Sequence, residues 1–322
     1  MSKIIYYHVK SFQDVWDAAE IKLARSFGLH SPRFRVGFKN YLDVVENPLP
    51  NILLKSTDVF DDLIIRRAAE LWSIGKPIRL WWSGGIDSTC ALVGLLQTKR
   101  LGDDLTVYLS IDSVKENPKF YDKLVGSRIN IQWHSHADYV YDNIELWNGD
   151  SINVNGNGGD ELFIAVSSSM SMESFFKIKD KHWSNLDVDK DTVEKYIDVS
   201  PYKPETCWEL LWWFARSIDD LSTRYHSPRF LKDPSVYHLE YPFFYTDYFE
   251  QWALSNLYAG HNEEYKTLKW PMKKFIYEWD NNKEYFENKE KESSFPSVYS
   301  NNFYPALVNK VVYENGTYER KN

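Results

Sequence analysis

Short, nearly all-apolar runs alternate along this chain with longer segments whose apolar positions recur every three or four residues. Ile4 to Tyr7 reads as a strand, a helix is predicted around Asp14 to Ser26, and Asn47-Pro48-Leu49-Pro50 ends a turn-prone stretch. From Asp58 the period becomes helical: Val59, Leu63, Ile64, Ala68, Ala69, Leu71 and Trp72 recur at helical spacing, with Asp58 as the expected N-cap. Gly75-Lys76-Pro77 stops that helix, and Ile78 to Trp82 reads as a strand buried on both faces. An apolar helix over Thr89 to Gln97 follows. Strands are then expected over Leu105 to Ile111, Ile129 to His134 and Ile152 to Val154, with a helix around Lys119 to Val125. Strands and helices alternating at this pitch predict parallel βαβ units. Beyond Phe163 helical patterns recur around Thr206 to Leu221, Tyr245 to Leu257 and Lys269 to Trp279, and a polar stretch between Lys177 and Lys195 reads as loop or surface. The predicted class is α/β, a parallel twisted sheet with flanking helices plus a mostly helical C-terminal region. The predicted organisation is a short appendage over 1–56, an α/β core over 57–165 and a helical region over 166–322 that completes the active site.

Composition narrows the partners. The chain has 322 residues, enough to bury a sizeable core, and a formal charge of −8. An acidic chain gains nothing from counterion release on a polyphosphate, so nucleic acid is disfavoured as a partner. Two cysteines, Cys90 and Cys207, cannot build a disulfide framework or a Cys-rich zinc site. No run approaches the ~20 apolar residues that cross a bilayer, and Met1 to Val9 has no apolar signal-peptide core. The expectation is a cytoplasmic protein with no membrane partner and reduced thiols.

The candidate chemistry begins where the buried strand over 78–82 meets Ser83-Gly84-Gly85-Ile86-Asp87-Ser88. The next helix is predicted to start at Asp87 or Ser88, so unpaired backbone N–H groups and the positive end of the helix dipole meet there. That combination favours an anion. Gly84 and Gly85 let the backbone curl around a ligand, the hydroxyls of Ser83 and Ser88 can donate to phosphate oxygens, and Asp87 can hold a magnesium ion bridging them. The loop is neither G-x-x-x-x-G-K-[ST] nor G-x-G-x-x-G, and an ordinary strand–helix turn with two glycines is the competing explanation.

Ser-Gly-Gly-x-Asp-Ser resembles the pyrophosphate loop of the N-type ATP pyrophosphatases. Gly156-Asn157-Gly158-Gly159-Asp160-Glu161-Leu162-Phe163 is similar to the G-[DE]-G-[GSA]-D-E-[LV]-F element of the asparagine synthetase synthase domain, with Asn157 where that family has an acid. The resemblance covers roughly 57–300. It implies an adenine nucleotide alpha hydrolase-like fold, ATP and Mg2+ as cofactors, and an AMP-forming carbon–nitrogen ligase. By this resemblance Ser83, Gly84, Gly85, Ser88, Gly158, Gly159 and Lys266 contact the ATP phosphates. Asp87 and Asp160 share the metal, and the backbone around Leu109 meets adenine.

Downstream, His238 to Tyr245 is similar to the family's E-x-R-x-P-F-L-D, but His238, Glu240 and Tyr245 replace its Glu, Arg and Asp. His238 and Glu240 are nevertheless candidate catalytic positions. Tyr265 to Lys273 is similar to the K-x-x-L-R helix start, which makes Lys269 the expected stabiliser of negative charge and puts Lys273 at the Arg position. Lys291 and Phe295-Pro296 echo a later Lys…Phe element. Position 2 is Ser, and the residues before the core are too few for the family's glutaminase domain. The implied substrates are therefore a small-molecule carboxylate and ammonia or an amine, the ammonia coming from solution or from a partner chain. Two other classes stay open: adenylation of a nucleotide or RNA-base carbonyl, and a non-catalytic ATP or AMP sensor.

Overall fold

Ile78–Trp81 (β1) lies at the centre of a five-stranded sheet, as an apolar strand must if both its neighbours are to be strands. The computed structural model describes residues 5–6, 55–127, 129–133, 148–163, 172–186, 190–199, 202–214, 240–265, 267–289, 310–314 and 317–321. The chain forms two compact units: one from 49–163 and 226–295, the other from 1–48, 164–225 and 296–322. The residues expected to form the helical region after 166 are therefore shared between both units.

The first unit holds β1, Leu105–Leu109 (β2), Asn130–Trp133 (β3), Ile152–Asn155 (β4) and Glu240–Pro242 (β5), all parallel, in the order β3-β2-β1-β4-β5. The fold is α/β, as the alternation of patterns predicts. Ile78 stands level with both Leu105 and Ile152, and Val154 with Tyr241. Sequence patterning misses β5, because Glu240, Tyr241 and Pro242 make no apolar run; the pairing with β4 alone orders them as a strand. From β1 the sheet grows one way through β2 and β3, then restarts on the other side with β4. The connections leaving β1 and β4 thus diverge from adjacent strands, which opens a crevice at their C-terminal ends.

Seven helices complete this unit among the described residues: Phe60–Ser73 (α1), Ile86–Thr98 (α2), Ile111–Glu116 (α3), Pro118–Gly126 (α4), Asp247–Ser255 (α5), Trp270–Asp280 (α6) and Lys283–Asn288 (α7). Between Ile86 and Leu95 only Asp87 escapes full burial, so α2 is the central helix, packed against α1 and α6. Leu80, Val107 and Val154 on one face of the sheet join Leu63 and Ile64 of α1, Leu92 of α2 and Ile276 of α6 in a single core. The other face is different in chemistry. There Trp81 packs against Tyr108, the rings tilted by 32° with centroids 4.6 Å apart, and its indole N–H donates to Asn153 Oδ1 at 3.2 Å.

Three boundaries differ from the sequence expectation for local reasons. Asp58 does not cap α1; its carboxylate accepts from Ser56 Oγ, and Val59 is the N-cap. The strand expected to reach Ile111 stops at Leu109, because Ser110 and Ser113 form a reciprocal capping box that starts α3. The polar stretch between Lys177 and Lys195 holds a 3-10 turn at Trp183–Asn185 and a helix starting at Lys190.

The second unit has helices at Met172–Ile178, Lys190–Val199 and Cys207–Phe214, with Phe175 against Trp208 and Tyr202 against Trp212 and Trp213. It also has an antiparallel three-stranded sheet in which Lys310–Glu314 pairs with both Ile5–Tyr6 and Thr317–Lys321. Cys90 and Cys207 are free, buried thiols, and burial raises the pKa of both, that of Cys207 to about 11. Among the described residues no helix is long and apolar enough to cross a membrane.

Candidate functional site

The connection leaving β1 is shaped by backbone geometry before any side chain acts. Gly84 has φ +83°, and a Cβ there would lie 2.3 Å from the Ser113 carbonyl oxygen, so only glycine lets the loop pass so close to α3. The helix α2 begins at Ile86, one residue ahead of the expected start. Its N-cap is Gly85, which supplies no side-chain acceptor to the first-turn amides. The loop is tied to itself: Ser83 N donates to Ser88 Oγ at 3.1 Å, the two hydroxyls lie 2.9 Å apart, and Gly85 N donates to Ser83 Oγ at 3.3 Å. It is also tied to its surroundings, through Trp82 Nε1 to Thr89 Oγ1 at 2.9 Å and Tyr285 Oη to the Gly84 carbonyl at 3.4 Å. Such a loop holds its shape without a ligand.

The connection leaving β4 packs directly on this one. A Cβ on Gly159 would fall 2.5 Å from Asp87 Cγ, so the glycine is what allows the second loop to reach the first. Asp160 follows at once. Lys269, the N-cap residue of α6, extends its ammonium to both, 2.6 and 2.7 Å from the Asp87 oxygens and in an ion pair with Asp160. Three residues named from separate motifs therefore meet at one point. Burial works to lower the Lys269 pKa, but the charges and hydrogen bonds of Asp160 and Asp87 outweigh it and hold the ammonium well above the ordinary lysine range.

The remaining expectations sort by position. Leu109 ends β2 and is fully buried, with Ser110 after it at the head of α3. Gly158, at φ +90°, lies against the Tyr245 ring. Glu240 is buried at the start of β5, and its carboxylate accepts from Asn155 Nδ2 at 2.5 Å. Asn155 in turn accepts from the Asn157 amide at 3.0 Å. Glu240 thus braces the second loop through Asn155. Lys273 is buried one turn beyond Lys269 on α6. His238, Lys266 and Lys291 lie outside the described residues.

One participant escaped the motif reading. Lys289, just past α7, pairs with Glu116 at 3.1 Å, and both side chains are nearly buried. Glu116 Cβ borders Gly84, and its carboxylate borders Gly85. Lys289 N donates to the Tyr285 carbonyl, and Tyr285 is the residue that holds Gly84, so α7 packs on the loop that leaves β1. Nothing in the charged run around Lys289 separates it from its neighbours; only the approach of α7 to α3 does.

No protein-family model matches this chain, and no curated protein matches it significantly. The functional reading therefore rests on the site itself. Among the described residues, no group of three or more His, Cys, Asp or Glu stands placed to hold a metal by itself. Two carboxylates close enough to share one ammonium are a set of hard oxygens. They suit a magnesium ion that takes its other ligands from phosphate and water.

Proposed function

We propose that the protein is an ATP-dependent, AMP-forming carbon–nitrogen ligase resembling the asparagine synthetase synthase domain. The observation that carries this reading is the meeting of Asp87, Asp160 and Lys269 beside a glycine loop at the crevice between β1 and β4. A phosphate loop of this kind cradles the β- and γ-phosphates and leaves the α-phosphorus open to attack. A substrate carboxylate oxygen bonds to the α-phosphorus as pyrophosphate leaves. An amine nitrogen then bonds to the acyl carbon, AMP leaves, and the amine gives up a proton.

In this scheme Ser83, Gly84, Gly85 and Ser88 hold the pyrophosphate. Asp87 and Asp160 would hold Mg2+, which neutralises charge on the phosphates when bound. Lys269 supplies a compact positive charge to the α-phosphoryl oxygens and later to departing AMP. The carboxylate and the amine or ammonia are small molecules in this reading, and the compartment is the cytoplasm.

Nucleotide products decide the matter. Incubation with ATP, Mg2+ and a panel of carboxylates with ammonia or primary amines should yield AMP and pyrophosphate, detected by chromatography. ADP and phosphate as sole products would refute the assignment. ATP binding without turnover on any substrate would favour a sensor, and a mass shift on RNA would favour base adenylation.

A further inference from the structure

We propose, building on the nucleotide-binding reading above, that Lys269 is a resident counter-ion. It keeps Asp87 and Asp160 closed to a free divalent cation and releases them only to a metal that arrives with a phosphate chain. Both oxygens of Asp87 and Oδ1 of Asp160 are engaged by the one ammonium, so three of the four carboxylate oxygens a metal could use already face a cation. The Lys269 side chain is 10% exposed, against 21% for Asp87 and 41% for Asp160. The carboxylates meet solvent first, and the ammonium sits behind them.

A lone divalent ion entering there meets a positive charge at close range in a half-buried site, where repulsion is only weakly screened. Phosphate oxygens remove that obstacle, because they can accept the ammonium as the metal takes the carboxylates. The backbone needs no movement. Lys269 N donates to Thr267 Oγ1 at 3.4 Å and its carbonyl accepts from Lys273 N at 3.1 Å, which pins the residue to the head of α6 while its four-carbon stem can turn.

The test is Mn2+ binding to the full chain without nucleotide, followed by electron paramagnetic resonance. Lys269→Gln removes the charge yet can still donate to the carboxylates; it should bind Mn2+ at least ~10-fold more tightly than the native protein. Lys269→Arg keeps the charge and should match the native protein. Should Lys269→Gln fail to fold, 15N-lysine spectra of the native protein carry the test. The Lys269 ammonium signal should move with Mg2+ plus pyrophosphate and stay put with Mg2+ alone. Unchanged Mn2+ affinity in a folded Lys269→Gln, or a signal that moves with Mg2+ alone, overturns the proposal. If the native protein binds no Mg2+-pyrophosphate at all, it is the nucleotide-binding reading that fails.

Discussion

Two ionic clusters border the loop that leaves β1, and they hide opposite things. In the Asp87–Asp160–Lys269 cluster the cation is buried and the anions reach solvent. In the Glu116–Lys289 pair both partners are nearly closed off, at 12% and 8% exposure. Water and ions can compete for open carboxylates, whereas a closed pair has only its own partners to compensate the cost of leaving water. In the proposed reaction the open cluster is the one that exchanges ligands, once a phosphate chain can accept the ammonium. The closed pair is built to hold α3 and the segment after α7 against the loop.

The largest effect should come from the open cluster and should appear in turnover. If the proposed function is right, Asp87→Asn and Asp160→Asn should each slow pyrophosphate release by ~10³-fold, since each would remove a charged ligand from the proposed metal–phosphate site. Each variant leaves the buried Lys269 ammonium with one carboxylate instead of two, so unfolding free energy is expected to fall by about 1–3 kcal/mol, a smaller effect than the loss of turnover. Denaturant titration alongside the rate assay checks both halves. A large stability loss with little rate loss would reverse the roles of the two clusters.

The closed pair should respond the other way. Lys289→Met leaves Glu116 buried without its counter-charge and is expected to cost about 3 kcal/mol of stability. Glu116→Gln combined with Lys289→Met should recover most of it. Lys274→Met is the control, since the Lys274–Glu278 pair is half exposed and should be worth under ~0.5 kcal/mol. Equal losses at Lys289 and Lys274 would erase the distinction between open and closed.

The smallest effect concerns Glu240, which belongs to neither cluster. Glu240→Gln retains an oxygen that can accept from Asn155 Nδ2, so activity should remain within a few-fold of native. Glu240→Leu removes the brace on the Asn157 loop and should cost ~1–2 kcal/mol. A ~10²-fold fall in rate for Glu240→Gln would instead support the catalytic role that the family resemblance implies.

Local chemistry made much of this legible from sequence. The apolar run at Ile78 and the glycines after it announce a buried strand entering a tight loop, because burial and φ are properties of a few adjacent residues. Asp87, Asp160 and Lys269 were each recognisable from motif context. The Ser110–Ser113 capping box was also present in the sequence, but the apolar run through Ile111 masked it. Asn315-Gly316 is a hairpin signal in the sequence, and Lys310–Glu314 and Thr317–Lys321 on either side of it pair antiparallel.

Sequence by itself determined the α/β class and the alternation of strands and helices from α1 to β4, since each follows from period, burial and turn chemistry within a short window; β5 and the helix at Lys190–Val199 it did not. Tertiary structure alone decided which loops meet. The order β3-β2-β1-β4-β5 puts β4 beside β1, and so sets Asp160 against Asp87. The packing of α6 on α2 brings Lys269 between them, and the return of α7 to the first loop turns one lysine of a charged run into a buried partner of Glu116. Strand pairing and helix packing join residues far apart in the chain. No local pattern encodes that a carboxylate from one loop and an ammonium from another will share the same few ångströms.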